Sequence, residues 1–140
     1  MEICIASDHA GFELKEWLKE MLSEHSFNDF GTHSPDSVDY PDHVHPLVQD
    51  LGENPGKFGI LICGSGNGVA ITANKYHFVR AALCWTSELA ALARQHNNAN
   101  IICIPARFVS KEHALKMAIT FLATEFEGGR HQRRVNKIPC

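Results

Sequence analysis

No run of apolar residues in this chain approaches the ~20 that a membrane-spanning helix requires, and Met1-Glu2-Ile3-Cys4 passes directly into a strand pattern without a basic and then apolar leader. A soluble, cytoplasmic protein is expected. The five cysteines are an odd number, and no two form a C-x-x-C pair, which argues against a disulfide framework, a structural zinc site or a redox dithiol. Cys4, Cys63, Cys84 and Cys103 sit in or beside apolar runs, where reduced thiols behave as small hydrophobes. A net charge of −3 leaves no global attraction for nucleic acid or anionic lipid, so any basic site must be local. Internal repeats, low-complexity stretches and long linkers are all missing, and 140 residues suffice to enclose one core. One domain spanning residues 1–140 follows.

What the chain does contain is an alternation of short apolar, β-branched runs with segments of helical period. Five strands are expected: Ile3 to Ala6, Phe27 to Phe30, Gly59 to Cys63, Val79 to Cys84 and Asn100 to Ile104. Leu14, Trp17, Leu18, Met21 and Leu22 mark a helix with one buried face. Val44, Leu47, Val48 and Leu51 mark another, in which Pro46 must occupy the first turn or kink the helix. Further helices are expected at Gly68 to Lys75, Ser87 to Arg94 and Lys111 to Thr124, the last with Leu115, Ala118, Ile119 and Leu122 inward. The pattern implies an α/β fold, a three-layer α/β/α sandwich around a five-stranded parallel sheet. The segment 127–140 is polar and basic and should pack outside its own core, on another subunit.

In such a sheet ligands bind beyond the carboxyl ends of the strands. Four places meet that condition: Asp8-His9, Cys63 to Gly68, Cys84-Trp85-Thr86 and Pro105-Ala106-Arg107. In Cys63-Gly64-Ser65-Gly66-Asn67-Gly68, three glycines let the backbone approach a ligand and expose its amides to an oxyanion. A P-loop would need Gly-Lys-Ser/Thr, a dinucleotide fingerprint would need glycine at Val69, and a phosphatase loop would need arginine there. A nucleophile elbow fails as well, because Leu61 or Cys63 stands at its first glycine. A thiol beside an anion cradle and a helix start remains, a setting that lowers thiol pKa and suits Cys63 to act as base or nucleophile. His96, in Arg94-Gln95-His96-Asn97-Asn98-Ala99-Asn100, is a candidate acid/base group. His25, His33, His43, His45, His77 and His113 lack such company and are expected in solvent, with no metal-ligand spacing among them. Arg130 and Arg134 are four apart and can grip one phosphate, whereas the absence of interleaved aromatics argues against nucleic acid.

Five segments in this order resemble the ribose-5-phosphate isomerase type B and galactose-6-phosphate isomerase family: Ser7-Asp8-His9-Ala10-Gly11-Phe12, Val38-Asp39-Tyr40-Pro41-Asp42, Ile62 to Gly68 leading to Ala73-Asn74-Lys75, Arg94 to Asn100, and Gly128-Gly129-Arg130-His131-Gln132-Arg133-Arg134-Val135. The resemblance covers nearly the whole chain. It implies a Rossmann-like sandwich and a homodimer or pair of dimers with shared active sites, acting on a sugar phosphate without metal or organic cofactor. Some relatives use a glutamate directly after the glycine loop as base; here that position is Val69, so the resemblance is to the cysteine type. It further implies that His96 and Asp8 open the furanose ring, Cys63 moves the proton between C2 and C1, and Ser65 with Asp8 moves the hydroxyl proton. Gly64, Gly66, Asn67, Gly68 and Asn97 would stabilise the enediolate, Tyr40 would border the sugar, and His9, Arg107, Arg130 and Arg134 would hold the phosphate, some of them in trans. Ribose 5-phosphate and ribulose 5-phosphate are the expected pair; galactose 6-phosphate, allose 6-phosphate, a tetrose phosphate, or phosphosugar binding without catalysis are the alternatives.

Overall fold

The computed structural model describes all 140 residues. Five strands, β1 (Glu2–Ser7), β2 (Ser26–Asp29), β3 (Phe58–Cys63), β4 (Ala81–Leu83) and β5 (Ile101–Pro105), form one sheet in the order β2-β1-β3-β5-β4 with every pairing parallel. Six helices connect or follow them: α1 (Phe12–Met21), α2 (Pro41–Glu53), α3 (Asn67–Ala73), α4 (Ser87–Asn97), α5 (Lys111–Ala123) and α6 (Arg130–Val135). Parallel strands demand crossovers, and the helices that make them cover both faces of the sheet.

Alternation along the strands sorts the core into two layers. Ile3, Ile5, Ile60, Ile62, Ile102 and Ile104 meet Leu18 of α1, Ala90 and Ala93 of α4, and Met117 and Phe121 of α5. Cys4, Ala6, Leu61, Cys63 and Cys103 point the other way, onto Val44, Leu47, Val48 and Leu51 of α2 and Val69, Ala70 and Ala73 of α3. Each fully buried isoleucine of this kind stabilises by about 1.5–3 kcal/mol relative to exposure.

The structure corrects several expectations. β4 is shorter than Val79 to Cys84, because Val79 N–H closes a turn onto the Tyr76 carbonyl and Arg80 N–H goes to the Asn100 side chain. Pro46 lies in the second turn of α2, since that helix starts earlier, with Pro41 at its favourable first position. There its ring removes the bond to the Asp42 carbonyl and crowds that oxygen, on the exposed side of the helix. In α5 the buried stripe is Ala114, Met117, Ala118 and Phe121, while Ile119 is 48 % exposed. Two apolar stripes overlap on that helix, and the one carrying phenylalanine turns inward. Segment 127–140 includes α6, which contacts α4 of the same chain, with Glu127 N–H donating to the Gln95 carbonyl and the His131 ring stacked on His96; these contacts leave the expected packing on another subunit open.

A candidate active site at the carboxyl ends of the strands

The chain leaves β1 toward β2 on one side and places β3 on the other, so the strand order reverses between β1 and β3 and a crevice opens above their carboxyl ends. A cleft of about 620 Å³ occupies this position, bordered by Asp8, His9, Tyr40, Cys63, Ser65 and Arg107 together with Gly64 and Gly68. Three of the four expected strand ends therefore converge. The fourth does not: Cys84 is buried, Trp85 packs against Phe108, and Thr86 caps α4 by accepting from Leu89 N–H. Ser37, Val38 and Asp39 also border the cleft, although only Tyr40 of that loop was singled out as a site residue. The motif Val38 to Asp42 was the signal for Val38 and Asp39, and Ser37 lies just outside it.

Each side chain is held by local structure. Asp8 accepts from Ala10 and Gly11 N–H at 2.9 and 3.2 Å, capping the 3-10 turn His9–Gly11 and fixing its carboxylate at the mouth of β1. Gly11 is required there, because a Cβ would lie 2.8 Å from the Ile62 carbonyl oxygen. His9 Nδ1 accepts from Val38 N–H at 3.2 Å, which leaves the ring proton on Nε2 and ties the β2–α2 loop to the cleft. The Tyr40 ring covers Gly68, where a Cβ would stand 2.5 Å from Tyr40 Cζ. Arg107 lies across Gly64, anchored by its own N–H to the Gly64 carbonyl at 3.0 Å.

The glycine loop supplies an unspent set of donors. The amides of Gly64, Ser65, Gly66 and Gly68 donate to no protein acceptor, Asn67 N–H bonds only to Ser65 Oγ, and Gly66 takes φ 76°, a left-handed conformation that favours glycine. Cys63, 4 % exposed, lines the cleft at the start of this loop. The other strand thiols are inert: burial pushes Cys84 up to about 11 and Cys103 well above its ordinary value, and burial together with a bond to Asp50 at 3.1 Å pushes Cys4 up to about 12.

His96, Asn97, Arg130 and Arg134 are elsewhere. The crossover helix α4 starts above β4 and must return to the amino end of β5, so its last residues, His96 and Asn97, lie at the far end of the sheet. α6 carries Arg130 and Arg134 to the same region. There His96 stacks on His131 with ring centroids 4.3 Å apart, and Glu127 Oε1 is 3.6 Å from His96 Nε2 and 3.9 Å from His131 Nε2. Burial and the charges of His96 and Arg130 lower the His131 pKa. These three residues place ligand atoms within 4.8 Å of one another, yet rings inclined by only 11° hold their nitrogen lone pairs in near-parallel planes that do not converge on a cation. Of the histidines expected in solvent, His33, His45 and His77 are exposed, whereas His25, His43 and His113 are half-buried, with His43 Nδ1 2.9 Å from the Phe30 carbonyl and His113 Nε2 2.9 Å from the Trp85 carbonyl.

Residues 3–138 match the ribose/galactose isomerase family. The chain belongs to that family. Among its family relatives, a probable ribose-5-phosphate isomerase B of Mycoplasma pneumoniae is 47% identical over 139 residues, covering 97% of this chain and 91% of the relative. The crystal structure of a ribose 5-phosphate isomerase from Thermotoga maritima superposes with a TM-score of 0.96 at 51% identity, covering 99% of this chain and 97% of that one. A ribose-5-phosphate isomerase B from Mycoplasma genitalium, solved with bound ribulose-5-phosphate, matches with a TM-score of 0.94 at 45% identity over 98% of this chain and 93% of that one. Within the family frame, the cleft offers a thiol, a capped carboxylate and a hydroxyl around four free amides, a set able to take a proton from carbon and stabilise the oxyanion left behind. No helix is long and apolar enough to cross a membrane.

Proposed function

We propose that this chain is a cytoplasmic aldose-ketose isomerase that interconverts ribose 5-phosphate and ribulose 5-phosphate, working as a homodimer or dimer of dimers. The observation that carries the reading is Cys63 opening into a cleft beside the unpaired amides of Gly64 to Gly68. Family membership and the relative that holds ribulose-5-phosphate support it.

The cycle begins with ring opening: His96, assisted by Asp8, passes a proton to the furanose ring oxygen as the C1 hydroxyl loses one. Cys63 as thiolate then removes the C2 proton of the open aldose, and electrons move into an enediolate whose developing charge meets the loop amides and Asn97. Ser65 and Asp8 carry the hydroxyl proton between O1 and O2, and Cys63 returns its proton to C1. The reaction is redox-neutral within one molecule, C2 being oxidised as C1 is reduced, so no cofactor enters. Tyr40 borders the sugar. His9 through Nε2–H and Arg107 hold the phosphate within the protomer, while His96, Asn97, Arg130 and Arg134 are supplied by the partner subunit. That last assignment is supported by their place at the opposite end of their own sheet, out of reach of their own cleft.

A second reading within the class is an isomerase for another sugar phosphate, because the cleft's 620 Å³ also admits a six-carbon ester. Measuring kcat/KM for ribose 5-phosphate, allose 6-phosphate, galactose 6-phosphate and a tetrose phosphate separates the two. Preference for ribose 5-phosphate by tenfold or more is expected. Binding without turnover on every member of the panel would sink the enzymatic reading.

A further inference from the structure

At the amino end of the sheet, away from the cleft by the length of the six-residue strand β3, lies a second cavity of about 480 Å³. A strand of that length spans ~20 Å. The walls carry three cations, Lys57, Arg80 and Arg94, with the side chains of Asn98 and Asn100, and no aspartate or glutamate. This is an unusual balance in a chain whose net charge is −3.

The three cations are not equivalent. Lys57 is neutralised by Glu2 and Asp50, each at 3.2 Å. Arg80 and Arg94 form no ion pair. Arg94 is 7 % exposed and sits between aromatic rings, its guanidinium carbon 4.7 Å from the Phe58 centroid and 5.8 Å from that of Phe121. Its Nε donates to the Thr124 carbonyl at 3.1 Å, and Nη1 donates to Asn98 Oδ1 at 3.0 Å and the Ala99 carbonyl at 2.6 Å. Those bonds account for Arg94 as a latch on the end of α4. They leave Nη2 free. Arg80 spends only Nε, on the Asn98 carbonyl at 2.8 Å, and both of its terminal nitrogens are left without a protein acceptor. Burial lowers the pKa of both guanidinium groups, and for Arg94 the neighbouring charge of Arg80 adds to it. Arginine does not escape such a position by losing its proton. Two partly desolvated guanidinium groups that repel each other, with free donors turned to one cavity, are complementary to a small anion, and their forked geometry suits phosphate or carboxylate oxygens.

We propose that this cavity is a second anion site, which takes a small phosphate- or carboxylate-bearing molecule between Arg80 and Arg94, in contact with the end of the helix that carries His96 and Asn97. The site is separate from the cleft and does not depend on the substrate assigned there.

Calorimetric titration of the full-length protein with inorganic phosphate, and in a second arm with citrate, tests the proposal and distinguishes the two ligand classes. Arg107→Ala weakens the phosphate site of the cleft, where His9, Arg130 and Arg134 remain, and in that background Arg80→Gln isolates phosphate binding at the second cavity. Adding Arg80→Gln is expected to weaken it at least tenfold. Superimposable isotherms for Arg107→Ala and Arg107→Ala/Arg80→Gln would overturn the site. Should Arg80→Gln unfold, a wild-type crystal soaked in phosphate decides directly: phosphate within hydrogen-bond distance of the Arg80 and Arg94 nitrogens is expected, and an empty cavity beside an occupied cleft refutes it.

Discussion

Leu61 pairs with Cys103 across the sheet, and two residues further on Cys63 pairs with Pro105. That short step separates a sealed thiol from one that lines a cleft. At neutral pH Cys4, Cys84 and Cys103 hold their protons, since burial raises all three. Iodoacetamide at pH 8 should therefore alkylate Cys140, which is exposed, and Cys63, with ribulose 5-phosphate protecting Cys63 alone. Peptide mass spectrometry reads the pattern, and modification of Cys103 in folded protein would contradict it. Cys63→Ala should lower kcat by about 10²–10⁴ while KM stays within a few-fold, because the thiol moves a proton and contributes little to binding the ground state. Near-normal turnover would remove Cys63 from the mechanism.

Between α1 and β2 lies a compact ion network that composition alone would assign to solvent. Lys15, wholly buried, donates to Asp29 at 2.6 Å and Glu16 at 2.8 Å, and Lys19 donates to Asp29 at 2.7 Å. The other Asp29 oxygen accepts from Gly31 N–H at 2.9 Å, and Gly31 and Thr32 exchange bonds of 2.7 Å with Ser7, the residue before Asp8. The network thus braces the end of β1 on which the cleft is built. Burial pushes the Asp29 carboxyl up, but bonds from Lys15, Lys19 and Gly31 outweigh it and hold the pKa below its ordinary value. A depressed folded pKa means that the unfolded chain binds the proton more readily. The contribution is therefore complete above the unfolded value near ~4 and is lost as pH falls through the folded one. Asp29→Asn should cost about 3 kcal/mol at pH 7, since it leaves the buried Lys15 ammonium with Glu16 as its one anionic partner, and should flatten the loss of stability below about pH 4. Urea midpoints across that range test it; a variant whose acid limb matches the wild type would show that Asp29 is not the group responsible.

At the scale of the whole molecule, the proposed machinery is divided between the two ends of one sheet. Asp8, Cys63, Ser65 and Arg107 lie at the carboxyl end, and His96 and Arg134 belong to the other. A site assembled from two chains makes a specific prediction for mixed subunits. Cys63→Ala and His96→Asn homodimers should each be impaired, whereas refolding them together in equal amounts should restore about a quarter of wild-type activity: half the dimers are mixed, and one of the two sites in each is intact. No recovery beyond the average of the two parents would place His96 and Cys63 in one protomer's site or remove one of them from catalysis.

Alternating apolar runs and helical periods were enough, in the sequence itself, to establish a parallel sheet of five strands with helices on both faces, because backbone pairing and burial leave few other ways to satisfy such a pattern. The glycines around Ser65 and the capping Asp8 were legible for the same reason: their constraints are local. Tertiary structure alone decided that Met117 and Phe121 rather than Ile119 face the core, that Lys15 is buried, and that Arg80 and Arg94 share a cavity without a carboxylate. Those outcomes depend on which distant elements meet. That His96 lies a sheet's length from Cys63 follows from the parallel topology, since a crossover helix must return to the amino end of the next strand. Its stacking on His131 of α6 was decided by tertiary structure, because the spacing of residues along one helix carries no sign of which distant element will cover it.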